Sequence, residues 1–219
     1  MSPWVGVSLS AHALWLLPLA AIMACAMAFG GATRDALRWT MLLAASMALT
    51  LATKLAFIGW GIGVAALDFA GTSGHAANAA AIYPVLAALL WQHAPRAQRH
   101  VAMTLAVVWS VLVAISRLKL NQHTPSEVVI GLVQGWLVAI VFLRGVRWPL
   151  ALSWRQPGWL AAGYFSLMLA GSFVSLPLRL YYPHYLVVDV ALAMSGNARP
   201  YSRELAWPRR DPENGVPVR

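Results

Sequence analysis

Six runs of mostly apolar residues, at about 11–29, 37–58, 75–91, 101–115, 125–143 and 159–180, dominate this chain of 219 residues. A helix that crosses the hydrocarbon core of a bilayer takes roughly 20 such residues. The runs therefore predict an all-α fold, a bundle of six transmembrane helices. The fourth run is short by that standard and extends toward Arg117. Composition points the same way. The chain is 60% apolar and 11% charged, against about 45–50% and about 25% for soluble domains. So few charges cannot cover a soluble surface of this size, and so apolar a chain is not disordered. One cysteine, Cys25, excludes a disulfide scaffold. No Lys or Arg precedes the first run, so it reads as a retained helix rather than a cleaved signal peptide. Residues 1–180 are expected to form the membrane domain. Residues 181–219 gain Pro, Arg and Asn and read as a polar C-terminal tail outside the bilayer, with 181–194 able to start as an interfacial helix.

The net charge is +9. Because the basic residues are spread through short loops between apolar runs, the partner they imply is an anionic lipid surface, not nucleic acid. Their distribution also orients the chain. Arg34, Arg38, Arg96, Arg99, Arg144, Arg147 and Arg155 fall on one set of loops, and only Lys119 falls on the opposite set. Positive loops stay in the cytoplasm. The loops 59–74 and 118–124 are then external, and the expected location is the plasma (inner) membrane with these loops toward the periplasm or exterior.

Almost all of the ionisable residues read as intramembrane collect on that outer side. Lys54 lies near the end of the second run. Asp68, Thr72, Ser73 and His75 lead into the third. Ser116, Arg117 and Lys119 close the fourth, and His123 and Glu127 open the fifth. Ionisable groups in a membrane are costly and mark functional sites. In Gly71-Thr72-Ser73-Gly74-His75, a glycine-rich turn enters a helix, whose free N–H groups attract an anion. Thr72 or Ser73 can equally serve there as a plain cap. Thr124 and Glu127 have capping-box spacing behind Pro125. Glu127 also stands four residues after His123, where it can hold one ring nitrogen and raise the basicity of the other. Lys54 can snorkel to the interface or face the site. Asn78 and Gln134 read either as donors that support the site from behind or, more simply, as interhelical hydrogen-bonding groups. No carboxylate set is dense enough for a metal cage.

Three spacings together resemble the type-2 phosphatidic acid phosphatase superfamily, whose pattern is K-x6-R-P, then P-S-G-H, then S-R-x5-H-x3-D. Ser73-Gly74-His75 matches the core of the second part, with Thr72 in place of proline. Ser116-Arg117, His123 and Glu127 match the third in spacing, with Glu for Asp. Lys54 opens the first part, but Gly61 and Ile62 stand where Arg and Pro are expected. The resemblance spans Lys54 to Glu127. It implies a site at the outer membrane–water interface and a phosphatase that needs no metal or cofactor, with His123 as nucleophile, His75 as general acid and Glu127 orienting His123. It further implies that Lys54, Ser73, Gly74, Ser116 and Arg117 bind the phosphate of a lipid phosphate or pyrophosphate. A lipid phosphotransferase, or a non-catalytic binder or transporter that keeps the fold, would carry much of the same pattern. The pattern does not specify the oligomeric state.

Overall fold

The computed structural model describes residues 2–150, 152 and 183–207, and the sixth predicted span, 159–180, lies outside them. The described chain is helical: α1 (Pro3–Ser10), α2 (Ala13–Phe29), α3 (Thr33–Trp60), α4 (Gly74–Leu90), α5 (Arg96–Lys119), α6 (Pro125–Gly145), α7 (Pro183–Ser195) and the single turn α8 (Arg203–Ala206). Four stretches are long and apolar enough to cross a membrane: Pro3–Phe29, Thr33–Trp60, Arg96–Lys119 and Pro125–Gly145. This marks a membrane protein. Leu37, Met41, Leu105, Val133 and Leu137 are exposed on them, as lipid-facing side chains must be.

Helix α3 outruns the expected 37–58 at both ends, α4 keeps its expected bounds within one residue, and two other spans differ for a local reason. The first run is preceded by α1. The helix breaks at Ala11 and restarts when His12 Nδ1 accepts the Leu14 N–H at 3.3 Å. Helix α5 extends past 101–115 at both ends, where Arg96, Arg99, Arg117 and Lys119 carry apolar stems that continue a membrane helix. Helix α4 has 17 residues, a length of about 26 Å at 1.5 Å per residue. That falls short of the ~30 Å core, so at least one of its ends stops inside the bundle.

Helix α4 is the centre of the bundle. Ala76, Ala77, Ala79, Ala80 and Ala81 are all buried, and Ile82, Val85 and Leu89 continue the core below them. Lipid is as apolar as leucine, so helices in a membrane associate by close packing and hydrogen bonds rather than by hydrophobic burial. The close packing comes from Gly131 and Gly135 on α6. A Cβ on Gly131 would stand 2.7 Å from the Ser73 carbonyl oxygen, and one on Gly135 would sit inside the envelope of the Ala77 carbonyl. The hydrogen bonds come from Gln134, whose amide donates to Ser46 O at 2.7 Å and Thr50 Oγ1 at 2.9 Å on α3. This is the interhelical role expected for it. At the other end of the bundle, Arg38 donates to the Val141 carbonyl at 2.8 Å, and Trp39 packs on Phe142 while donating to Ala20 O.

Because α4 and α6 cross with only alanine methyl groups between them, their N-termini are drawn together. The Ser73 N–H donates to the Glu127 carbonyl at 3.1 Å. The α3–α4 connection closes over this point. Val64 and Phe69 exchange backbone hydrogen bonds, Asp68 takes a left-handed φ of 48°, and the Thr72 N–H bonds Thr53 Oγ1 at 3.2 Å.

Candidate active site

Five chain segments meet at this end of the bundle: the α1–α2 break, the end of α3, the start of α4, the end of α5 and the start of α6. Glu127 ties together the α3–α4 connection, the start of α4 and the α5–α6 loop. Its side chain is 3% exposed. Oε2 lies 2.7 Å from His123 Nδ1 and 3.3 Å from the Thr124 N–H, the return half of a capping box. Oε1 accepts the Ala70 N–H at 2.9 Å. The capping and histidine-orienting readings of Glu127 therefore hold together, one carboxylate oxygen serving both.

A carboxylate only accepts hydrogen bonds, so His123 Nδ1 carries the hydrogen and Nε2 carries the lone pair. His123 sits in the α5–α6 loop. Burial pushes its pKa below the usual histidine value of 6.5. The Glu127 bond opposes that shift, and the Lys54 and Arg117 charges add to it. The ring is 12% exposed, open enough for a substrate and enclosed enough to be a free base near neutral pH.

Lys54, Arg117 and Glu127 are electrostatic neighbours, and His75 lies within reach of Arg117, His12, Lys54 and His123. So Lys54, His75, Arg117, His123 and Glu127, far apart in the chain, share one site. Lys54 is held by close approach of the connection: Gly71, at φ 141°, leaves its Cβ position 3.0 Å from Lys54 Cγ. Ser73 is the N-cap residue of α4, yet its hydroxyl makes no cap bond. Ser73 is fully buried. Among the described residues, Ser73 Oγ and Arg117 Nε have no hydrogen-bond partner. A buried donor left without a partner is rare; one of these belongs to the cationic cluster and the other stands at the start of α4 beside Gly74, whose backbone N–H is in the first turn. The arrangement suits an anion with several oxygens. Ser116 is different. It is fully buried and its hydroxyl donates to Val113 O at 2.6 Å on its own helix, so the structure does not bring that hydrogen to the cluster. Among the described residues no group of three His, Cys, Asp or Glu side chains is placed to hold a metal ion.

Three contributors escaped the sequence reading. His12, buried, meets the His75 ring edge-on at 5.6 Å between centroids. Ser8, also buried, accepts a hydrogen bond from Arg117 Nη1. Both precede the first predicted span or stand at its edge, and the only available signal was that this edge shares the outer side with the other polar residues. The third is Arg203, whose Nη2 lies 2.7 Å from Glu127 Oε1, and nothing local in the tail announced it.

The family model described as PAP2 superfamily matches residues 15–150. The chain belongs to the PAP2 superfamily. All the matched motif residues, from Lys54 to Glu127, lie inside that range, whereas Ser8, His12 and Arg203 lie outside the part of the chain that the PAP2 model covers. An uncharacterized 22.5 kDa protein in the cps region of Klebsiella pneumoniae is 35% identical over 141 residues, covering 64% of this chain and 68% of that protein. Phosphatidylglycerophosphatase B of Bacillus subtilis (strain 168) is 41% identical over 73 residues, 32% of this chain and 36% of that protein. The chain thus matches about a third of the length of the Bacillus protein. No solved structure matches the chain. Membership of the PAP2 superfamily suggests phosphatase activity.

Proposed function

We propose that the protein is a metal-independent phosphatase of membrane lipid phosphates or pyrophosphates that works through a phosphohistidine. The observation that carries this reading is the His123–Glu127 pair at 2.7 Å, which leaves a lone pair on Nε2 inside a cluster of cations. In the proposed reaction, Nε2 attacks phosphorus as the P–O bond to the leaving group breaks. His75 gives a proton to the departing oxygen. Water, deprotonated by His75, then attacks the phosphohistidine, the P–N bond breaks and inorganic phosphate leaves. Phosphoryl transfer depends mainly on positioning and on positive charge around the nonbridging oxygens. Lys54, Arg117, Ser73 Oγ and the Gly74 N–H supply these here. Glu127 stabilises the imidazolium-like ring in both steps.

Candidate substrates are phosphatidylglycerol phosphate, phosphatidic acid, undecaprenyl pyrophosphate and lipid A. The name of the Bacillus relative supports the first of them. Phosphate release from this panel by the purified protein is the direct test. Release is expected to persist in a chelator, to be inhibited by vanadate and to vanish in His123→Ala. Loss of activity in the chelator that a divalent ion restores would overturn the mechanism.

The lowered pKa of His123 sets a pH expectation. The nucleophile must be neutral, and a depressed pKa keeps it neutral to lower pH. The acid limb of kcat/KM is therefore expected below pH 6.5, the unperturbed histidine value. A limb at or above that value would show that a different group, or a more solvated ring, controls the step.

The site is proposed to face the periplasm or exterior. The ends of the helices opposite the site carry Arg34, Arg38, Arg96, Arg99, Arg144 and Arg147. In a Cys25→Ala background, Asn121→Cys is expected to react with an impermeant thiol reagent in intact cells and Ala97→Cys to stay unlabelled. The opposite pattern would place the site in the cytoplasm.

A further inference from the structure

The end of α3 reads Gly59-Trp60-Gly61-Ile62-Gly63, and each of the three glycines seats a residue from the C-terminal segment. A Cβ on Gly59 would stand 3.3 Å from the Ala191 carbonyl and 3.4 Å from Ser195 Cβ. One on Gly61, at φ 69°, would stand 2.9 Å from the Tyr201 ring, and one on Gly63 would stand 2.7 Å from the Trp207 ring. Hydrogen bonds fix the same track: Tyr201 N–H to Ile58 O at 2.9 Å and Asn197 Nδ2 to Gly59 O at 2.6 Å. Trp207 also packs on Phe57, with ring centroids 5.2 Å apart, and Ala191 is fully buried against Phe57 and Ile58. Residues 191–207 are thus laid across the outer end of α3 as a strap.

The strap delivers Arg203. Its Nη2 donates to Glu127 Oε1 at 2.7 Å, while Nε forms an ion pair with Asp68 Oδ1 at 2.9 Å without the alignment of a hydrogen bond. Asp68 is 54% exposed, and a solvated pair of that kind does little to hold a side chain in place. The contact with Glu127, only 3% exposed, is the one that carries consequence. Glu127 then has each oxygen engaged from a different side: Oε1 by Arg203 and the Ala70 N–H, Oε2 by His123 and the Thr124 N–H. Rotation of the carboxylate away from His123 would break the Arg203 bond. Meanwhile Gly61 stands where the K-x6-R-P pattern expects an arginine, and the Tyr201 ring, two residues before Arg203, covers that glycine.

We propose that Arg203, carried in by the C-terminal strap, is a positioning residue of this site and that it acts by locking Glu127 against His123. The proposal rests on the reading of His123 as the reacting histidine. Arg203 lies outside the 15–150 range of the superfamily match.

Two measurements on the full chain in detergent test it. The first needs no turnover. In nitrogen-15 histidine spectra, wild type is expected to show His123 as a single tautomer with the hydrogen on Nδ1. Arg203→Ala is expected to mix the tautomers, and Arg203→Lys to restore most of the wild-type signal. An unchanged His123 signal in Arg203→Ala overturns the proposal whether or not the protein proves to be a phosphatase. The second is a double-mutant cycle on phosphate release. Arg203→Ala is expected to lower kcat about 10-fold or more, the scale for removing a partner that orients a site's ligand, with KM little changed. In a Glu127→Gln background the same change is expected to cost nothing further, because the group it acts through is already gone. Losses that multiply, or a loss carried by KM alone, would make Arg203 a structural residue or a substrate ligand instead. If wild type releases phosphate from no lipid in the panel, the proposed function fails, and the spectra still decide on Arg203.

Discussion

His123→Ala is expected to abolish turnover on aryl and alkyl phosphates alike, while His75→Ala is expected to separate the two. His123 has the carboxylate of Glu127 at 2.7 Å on Nδ1, so its other nitrogen is held as a base with a fixed direction, which suits a nucleophile. The described neighbours of His75 at the start of α4 are the His12 ring, His123 and the cations Arg117 and Lys54. Those surroundings suit a group that hands a proton away. A general acid contributes roughly 10²–10⁴-fold, and less where the leaving group is already good. His75→Ala should therefore lose that factor on an alkyl lipid phosphate and much less on an aryl phosphate. Labelled phosphate trapped during turnover should be found on His123. Equal responses of the two variants to leaving-group acidity would undo the division of roles, and label on His75 would reverse it.

The largest structural effect is expected at Gly135. Gly135→Val puts branched carbon where the Ala77 carbonyl already lies, with Ala80 Cβ only 2.7 Å from the first added atom. The obstacle is backbone, so no rotamer relieves it, and α4 and α6 must separate. Overpacking of this kind costs about 1–3 kcal/mol and at times more. Separation also pulls Ser73 from Glu127, which its N–H bonds at 3.1 Å, so activity should fall together with stability. Thermal unfolding in detergent checks the first and phosphate release the second. Gly6→Ala is the control: nothing lies within 4 Å of a Cβ there, and alanine is the better helix former. If Gly135→Val melts within a degree of wild type, the close crossing of α4 and α6 is not what holds the site together.

The pair His123 and Glu127 was legible because four residues of chain around a helix N-terminus fix where both side chains go. The gathering of Lys54, His75, Arg117 and His123 at one end of the bundle was legible because a membrane forces successive helix ends onto alternating faces. The bundle's tightest crossing was also written in the chain, as Gly131 and Gly135 one helical turn apart opposite a run of alanines. Small residues at that spacing carry the signal of a close helix crossing.

Other features depend on which partners the packed helices leave within reach. Ser116 sits in the matching motif, but its hydroxyl turns to Val113 because a buried hydroxyl without a nearer acceptor bonds the preceding turn of its own helix. Ser8 and His12 join the site because α1 and α2 meet at a break that brings them against Arg117 and His75. Arg203 reaches Glu127 across 76 positions, and its place depends on three glycines that accept a strap only once α3 has formed and the tail has packed on it. Local sequence, acting through helix period, cap chemistry and the low dielectric of the membrane, settled which helices form and which ends share a face. Which donors remain unpartnered, and which distant cation comes to rest on Glu127, was settled by side-chain packing between those helices, because such contacts are chosen by steric fit in three dimensions and leave no periodic trace in the chain.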